Sequence, residues 1–80
     1  MKRPINQKKN QLNVQKRGVS VETLFDKGEL LDVLNHPKRS DQQYEVYNYN
    51  GYAWVVVISK DDNRYVTHFP SSKMKKEYGL

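Results

Sequence analysis

The chain has no cysteine among its 80 residues, so neither a disulfide nor a thiolate metal site can stabilise it. No apolar run approaches the roughly 20 residues that a membrane-spanning helix needs, and no signal-peptide pattern opens the chain. The four glycines are scattered, which excludes a glycine-rich phosphate loop. The two histidines, His36 and His68, lie in no ligand-spaced cluster. We therefore expect a cytoplasmic protein without a metal ion or cofactor.

Basic residues are abundant but unevenly placed. The net charge is +5, and residues 1–17 carry six basic and no acidic residues, whereas residues 18–36 carry one basic and four acidic residues. Basic ends that flank an acidic segment favour a polyanionic partner such as RNA. The simpler interpretation, a solvated and partly disordered tail, stays open. The expected nucleic-acid contacts are Lys8, Lys9, Lys38, Arg39 and Lys73.

Two helical segments are predicted in the first half. Asn10–Arg17 forms a weak helix with Leu12 as its main apolar anchor, and Gly18 ends it in the position that favours a left-handed residue. Ser20 is a suitable N-cap for a second helix over residues 20–35. The apolar face of that helix would carry Leu24, Phe25, Leu31 and Leu34. Gly28 interrupts this pattern, which predicts a kink or two short helices.

The second half predicts an antiparallel sheet. Asn50-Gly51 is typical of a two-residue type I′ turn, and the Asp-Asp-Asn sequence at 61–63 marks a second turn. Strands are expected near residues 43–49, 52–59 and 64–69, the middle one buried on both faces. The predicted fold is α+β, with one or two N-terminal helices packed on a three- or four-stranded antiparallel β-meander. A single domain spans 1–80, with a flexible basic N-terminus at 1–9, a core at 10–70 and a basic tail at 71–80.

The turn lengths also predict which side chains share a face. A two-residue loop pairs Tyr47 with Trp54 and places the larger aromatic rings on one face, against which the helices should pack. An even-length second loop adds Phe69 to that aromatic face and leaves Arg64 and His68 on the other face, beside Tyr44 and a small floor of valines. An odd-length loop would instead turn His68 inwards.

The side chains also match the needs of a metal-independent ribonuclease. Cleavage through the 2′-hydroxyl requires a base, an acid and cations around the phosphate. The catalytic candidates are Lys16, Arg17, Arg64 and His68, with His68 as the acid or base. A structural role remains an equal alternative for a histidine on a strand.

Several short strings resemble those of BrnT-type toxins. Asn13–Ser20, NVQKRGVS, is similar to the turn in which a short helix of that family ends, with a Lys-His-Gly-Val-Ser-like sequence. The VVVI strand, the Arg-Tyr-Val-Thr run from Arg64 and the Ser-Ser-Lys-Met-Lys-Lys-Glu-Tyr tail extend the resemblance over roughly residues 6–80. The tRNA-cleaving colicins share this order of elements, and all belong to the RelE/barnase-like superfold of small ribonucleases.

The resemblance implies a toxin-antitoxin function: an endoribonuclease toxin that cleaves RNA, is neutralised by a protein antitoxin, and uses Lys16 as the motif lysine. Arg17 stands where the family has histidine, and the arginine that closes the last strand of the family is missing near Phe69. These differences favour a second hypothesis, a non-catalytic basic protein that binds nucleic acid or a nucleoprotein complex, as a phage-type inhibitor does. A third is a protein-binding module whose sheet edge pairs with a partner strand.

Overall fold

A computed structural model describes residues 7–80 of the chain. In this part of the chain three helices and four strands follow one another as α1 (Gln7–Arg17), α2 (Val21–Lys27), β1 (Glu29–Asn35), β2 (Gln42–Tyr49), β3 (Tyr52–Ser59), β4 (Arg64–Pro70) and α3 (Ser72–Glu77). The strands form one antiparallel sheet in the order β1-β2-β3-β4. The predicted α+β fold is therefore confirmed, with four strands in the meander. Among residues 7–80, no helix has the length and apolar character needed to cross a membrane.

The β2–β3 hairpin has the predicted turn. Asn50 and Gly51 have φ values of 54° and 74°, in the left-handed region that both central residues of a type I′ turn require. The resulting register pairs Tyr47 with Trp54, as the two-residue loop predicts. All residues from 53 to 58 are buried, which confirms that β3 is a central strand covered on both faces.

The two predicted helix caps are also confirmed. Gly18 has a φ of 80°, and its amide donates a hydrogen bond to the carbonyl of Val14 (2.7 Å). The hydroxyl of Ser20 accepts a hydrogen bond from the amide three residues later (3.2 Å). α1 begins at Gln7, earlier than predicted, so the predicted flexible segment 1–9 overlaps it. The rest of that segment lies outside the described residues.

Residues 29–35 form an edge strand, so the helix predicted over residues 20–35 is wrong beyond Lys27. α2 stops at Gly28, whose backbone is extended (φ −77°, ψ 153°). A side chain is excluded there, because a Cβ would lie 2.5 Å from the carbonyl oxygen of Leu24. β1 pairs along β2. The backbone ladder with β2 outweighs the weak helical periodicity of this short apolar segment.

The core lies between α2 and one face of the sheet. Val21 and Leu24 of α2 are fully buried there, and Phe25 contacts Tyr47 edge to face, with ring centroids 5.9 Å apart. We call this surface the helical face. Its central side chains come from β2, β3 and β4 and are Tyr47, Trp54, Val56, Ile58, Tyr65 and His68.

A β-bulge in β4 decides the position of His68. The turn at residues 60–63 has an even length, and Tyr65 pairs with Ile58 on the helical face. The register then shifts so that Val66 is an extra residue and His68 pairs with Val56 on the same face. A bulge reverses the alternation of every later side chain in its strand. The expectation that His68 shares a face with Arg64 is therefore wrong.

The register assigns a second set of side chains to the opposite face: Tyr44, Val46, Val55, Val57, Arg64 and Phe69. The C-terminal segment, predicted as a basic tail, crosses one end of this face and contains α3. The Ser71 amide donates to the Ala53 carbonyl (3.0 Å), and the Tyr78 hydroxyl donates to a carboxylate oxygen of Asp32 on β1 (2.8 Å). At the other end, beside the β1–β2 loop, no helix of residues 7–80 covers the face.

Candidate functional site

The residues predicted to be catalytic lie in separate environments. Lys16 and Arg17 are exposed near the end of α1, on the side of the helical face. Arg64 is exposed on the opposite face, where it forms an ion pair with Asp62 (3.2 Å). His68 is 0% exposed. The structure brings Arg17 and His68 into one cluster, and it places Arg64 on the other side of β4.

A chain of hydrogen bonds connects Arg17 to His68 between α1 and β4. The guanidinium of Arg17 donates to Asn13 Oδ1 (2.9 Å), and Asn13 Nδ2 donates to the hydroxyl of Tyr65 (2.9 Å). That hydroxyl lies 2.7 Å from His68 Nδ1, and His68 Nε2 lies 2.6 Å from the carbonyl oxygen of Val19. We call Asn13, Arg17, Tyr65 and His68 the buried network. It joins α1, the turn after it and the sheet.

Only one proton arrangement satisfies the buried network with a neutral histidine. The carbonyl of Val19 can only accept, so His68 Nε2 carries the proton and Nδ1 accepts from the Tyr65 hydroxyl. Burial lowers the pKa of His68 below its ordinary value and the positive charge of Arg17 lowers it further, although the bond to Val19 opposes this shift. Burial also favours the neutral form of Tyr65, whose pKa is raised for that reason. A neutral, fully bonded His68 has a structural role in this arrangement.

A second polar contact fixes α1 to the start of α2. Asn10 accepts a hydrogen bond from the Val21 amide (3.0 Å) and donates one to the Glu22 carboxylate. Partial burial by itself would raise the pKa of Glu22. Hydrogen bonds from its own backbone amide, from Asn10 and from Gln7 outweigh this effect, so the pKa lies below its ordinary value. In the described part of the chain, no buried side-chain nitrogen or oxygen lacks a partner.

The inner side of α1 is consequently polar, and the prediction that Leu12 anchors this helix is wrong. Leu12 is 44% exposed, whereas Asn10 and Asn13 are each 3% exposed. The spacing of three between the asparagines places them on one side of a helix. That spacing is the one signal in the sequence that identifies the buried side. The search for an apolar side chain pointed to Leu12 instead.

Three partly exposed rings lie together on the opposite face beside the loops. Tyr44 and Phe69 make an edge-to-face contact with ring centroids 6.1 Å apart, and His36 contacts Tyr44 at 4.9 Å. We call these three residues the aromatic cluster. The valines on the same face, at positions 46, 55 and 57, are buried and provide a rigid floor. Sequence reasoning predicted Tyr44 and the valine floor here, but it placed Phe69 on the other face because the bulge was not foreseen.

Exposed cations lie on the same side of the sheet as the aromatic cluster. His36 Nδ1 accepts hydrogen bonds from the backbone amides of Lys38 (3.0 Å) and Arg39 (3.1 Å), which holds the loop of these two exposed cations beside the rings. Arg64 is exposed on the same face. Lys73 is exposed on α3, at the covered end of this face.

The predicted nucleic-acid contacts therefore fall into two groups on the two sides of the sheet. Lys8 and Lys9 lie on α1. The other three belong to the side of the opposite face: Lys38, Arg39 and Lys73.

Comparison with known proteins assigns neither a family nor a function to this chain. No family model, curated protein or solved structure matches this chain. The resemblance to BrnT-type toxins thus stays a prediction from short strings. Within residues 7–80, no group of three or more histidine, cysteine, aspartate or glutamate side chains is arranged to hold a metal ion.

Proposed function

We propose that this protein binds single-stranded nucleic acid, and RNA in particular, on the opposite face of its sheet without cleaving it. The supporting observation is the partly exposed aromatic cluster next to the loop of Lys38 and Arg39, on the face that also carries Arg64. Unpaired bases stack on aromatic rings, and cations next to those rings neutralise the phosphates. A duplex keeps its bases stacked on one another, so a stacking surface selects single strands.

The rings suit one base better than a continuous row of bases. Tyr44 and Phe69 are inclined at 84° to each other, so a base that stacks on one ring meets the edge of the other. Edge-to-face contacts of this kind are favourable for aromatic groups. The neighbouring phosphates would then lie within reach of Lys38 and Arg39, whose loop His36 holds in place.

Cleavage is not part of this proposal. A general acid or base must lie within hydrogen-bonding distance of the reacting oxygen, and His68 is fully buried with both ring nitrogens engaged. The RNA-cleaving toxin predicted from the sequence stays an untested prediction. Incubation with total RNA in EDTA tests it, because that reaction would leave 2′,3′-cyclic phosphate ends without a metal ion.

Fluorescence anisotropy with labelled oligouridine, and with a duplex of equal length, tests the binding proposal. Tyr44→Leu keeps the apolar bulk but removes the stacking surface. We expect it to weaken single-strand binding by about 5- to 150-fold, since one stacked base contributes about 1–3 kcal/mol. The double substitution Lys38→Gln and Arg39→Gln should reduce the slope of log affinity against log salt by about 1.4, since each single-strand phosphate contact contributes about 0.7.

Lys27→Gln is the matched control, because Lys27 is an exposed cation at the end of α2, on the other side of the sheet. It should leave both the affinity and the salt slope close to those of the unaltered protein. Equal binding of duplex and single strand, a Tyr44→Leu variant with full affinity, or no binding at low salt would each overturn the proposal.

A further inference from the structure

α1 has two apolar residues, Leu12 and the half-buried Val14, and the larger of them lies on the exposed side of the helix. Asn10 and Asn13 face the sheet and α2, while Leu12 is 44% exposed. A helix on a protein surface ordinarily buries its apolar stripe and exposes its polar one. The leucine of α1 is therefore not part of the buried core of this domain.

Leu12 occupies the centre of a row of three side chains. Lys8, Leu12 and Lys16 follow one another at a spacing of four, which places them one above the other on a helix. Both lysines are exposed. No acidic residue occurs in Gln7–Arg17, so the row has an apolar centre and a positive charge at each end.

We infer that this row is a docking surface for an acidic amphipathic helix of a partner protein. A leucine of the partner would pack on Leu12, and a carboxylate one turn away on each side would pair with Lys8 and Lys16. Charge complementarity selects an acidic partner, and the apolar centre favours a protein, whose leucine can pack on Leu12, over a nucleic acid, whose backbone presents charged phosphates. The row lies on the helical side of the sheet, so this inference is independent of the proposed nucleic-acid site.

A synthetic peptide provides the probe. An alanine-based helix of about 16 residues, long enough to be helical in water, carries glutamate, leucine and glutamate at successive spacings of four. Titration of the isotope-labelled protein should shift the NMR signals of α1 and leave those of Tyr44 and Phe69 unchanged. Isothermal titration calorimetry then gives the affinity. A second peptide with glutamine in place of its leucine should bind about tenfold more weakly, as expected for the loss of a partly buried leucine contact.

Leu12→Gln should weaken binding of the first peptide by about tenfold for the same reason. Leu30→Gln is the matched control, because Leu30 is a leucine of similar exposure (51%) on β1. It should leave the affinity unchanged. Lys8→Gln combined with Lys16→Gln should weaken binding and reduce its dependence on salt.

Four results would overturn the inference. The peptide does not bind at millimolar concentration, Leu12→Gln binds it as well as Leu30→Gln does, or the shifted signals lie outside α1. Displacement of the peptide from α1 by oligouridine would also overturn it, because the row would then be a nucleic-acid surface. A failure of oligouridine to bind at Tyr44 would contradict the nucleic-acid proposal but would leave the peptide test at α1 unaffected. The two proposals can therefore be refuted independently.

Discussion

α1 and α2 pack on the same side of the sheet by opposite means. α2 buries Val21 and Leu24, whereas α1 buries Asn10 and Asn13 and exposes its leucine. Apolar burial is non-directional and stabilises in proportion to the area removed from water. A buried hydrogen bond contributes little net free energy, but the loss of one partner carries a large penalty. We conclude that α2 supplies stability and that α1 is held by the geometry of its polar contacts.

The largest expected effect is at Leu24, which is 0% exposed. Leu24→Ala should lower the free energy of unfolding by about 2–5 kcal/mol, because a buried leucine loses its transfer free energy and leaves a cavity. Urea denaturation measures the change. Leu30→Ala is the control on an exposed leucine and should change stability by less than about 0.5 kcal/mol. Equal losses for both variants would contradict the assignment of the core.

Asn13→Ala should have the next largest effect. It leaves the hydroxyls of Tyr65 and Thr67 and the guanidinium of Arg17 without their shared partner. The expected loss is about 1–3 kcal/mol, the cost of unsatisfied buried polar groups. Gln15→Ala, on the exposed side of the same helix, serves as the control. If Asn13→Leu stabilised the protein, the polar interface of α1 would have no special role.

The buried network also predicts a dependence of stability on pH. Burial lowers the pKa of His68 in the folded protein below its ordinary value of 6.5, which applies to the unfolded chain. Between the folded and the unfolded pKa, the unfolded chain binds a proton that the folded chain does not. The free energy of unfolding should therefore be highest above pH 6.5 and fall as the pH decreases towards the folded pKa, below which this loss is complete. Each unit of lowering corresponds to about 1.4 kcal/mol.

Urea denaturation between about pH 5 and pH 8, where histidine titrates, measures this dependence. The His68→Gln variant removes the group and keeps His36. The difference in stability between the unaltered protein and the variant should shrink as the pH falls. A constant difference would show that His68 is not held in the neutral form.

The smallest expected effect is at Leu12. Leu12→Ala should change the free energy of unfolding by less than about 0.5 kcal/mol, because the side chain is partly exposed and outside the core, and alanine favours helix. Comparison with Leu24→Ala in the same urea titration sharpens the contrast between the two helices. A loss comparable to that of Leu24→Ala would mean that α1 packs through Leu12 after all.

Part of the candidate site could be predicted from the residues alone. Tyr44 and the exposed pair Lys38 and Arg39 were identified because their strand and loop follow from local signals. Phe69 and His68 were assigned to the wrong faces, since the bulge at Val66 exchanges them. The third hypothesis was that a partner strand pairs with an edge of the sheet, and the structure makes β1 one of its two edges.

In the structure, the Val33 amide on β1 is hydrogen-bonded to the side chain of Asp32 (2.8 Å). A charged residue and a bulge are common protections of an edge strand. Strand addition at this edge therefore has little support, and the interfaces proposed above lie elsewhere on the protein.

Features that depend on one or a few neighbouring residues could be predicted from the amino-acid sequence. The Asn50-Gly51 turn, the cap at Ser20 and the end of α1 at Gly18 follow from local backbone sterics and short hydrogen bonds, and the burial of β3 follows from its composition. The strand at residues 29–35, the bulge in β4 and the inward side of α1 could not be predicted in this way. Each of these depends on a partner distant in the sequence: the ladder with β2, the pairing of β4 with β3, and the hydroxyls that meet Asn13. Local propensities differ there by too little to outweigh such contacts.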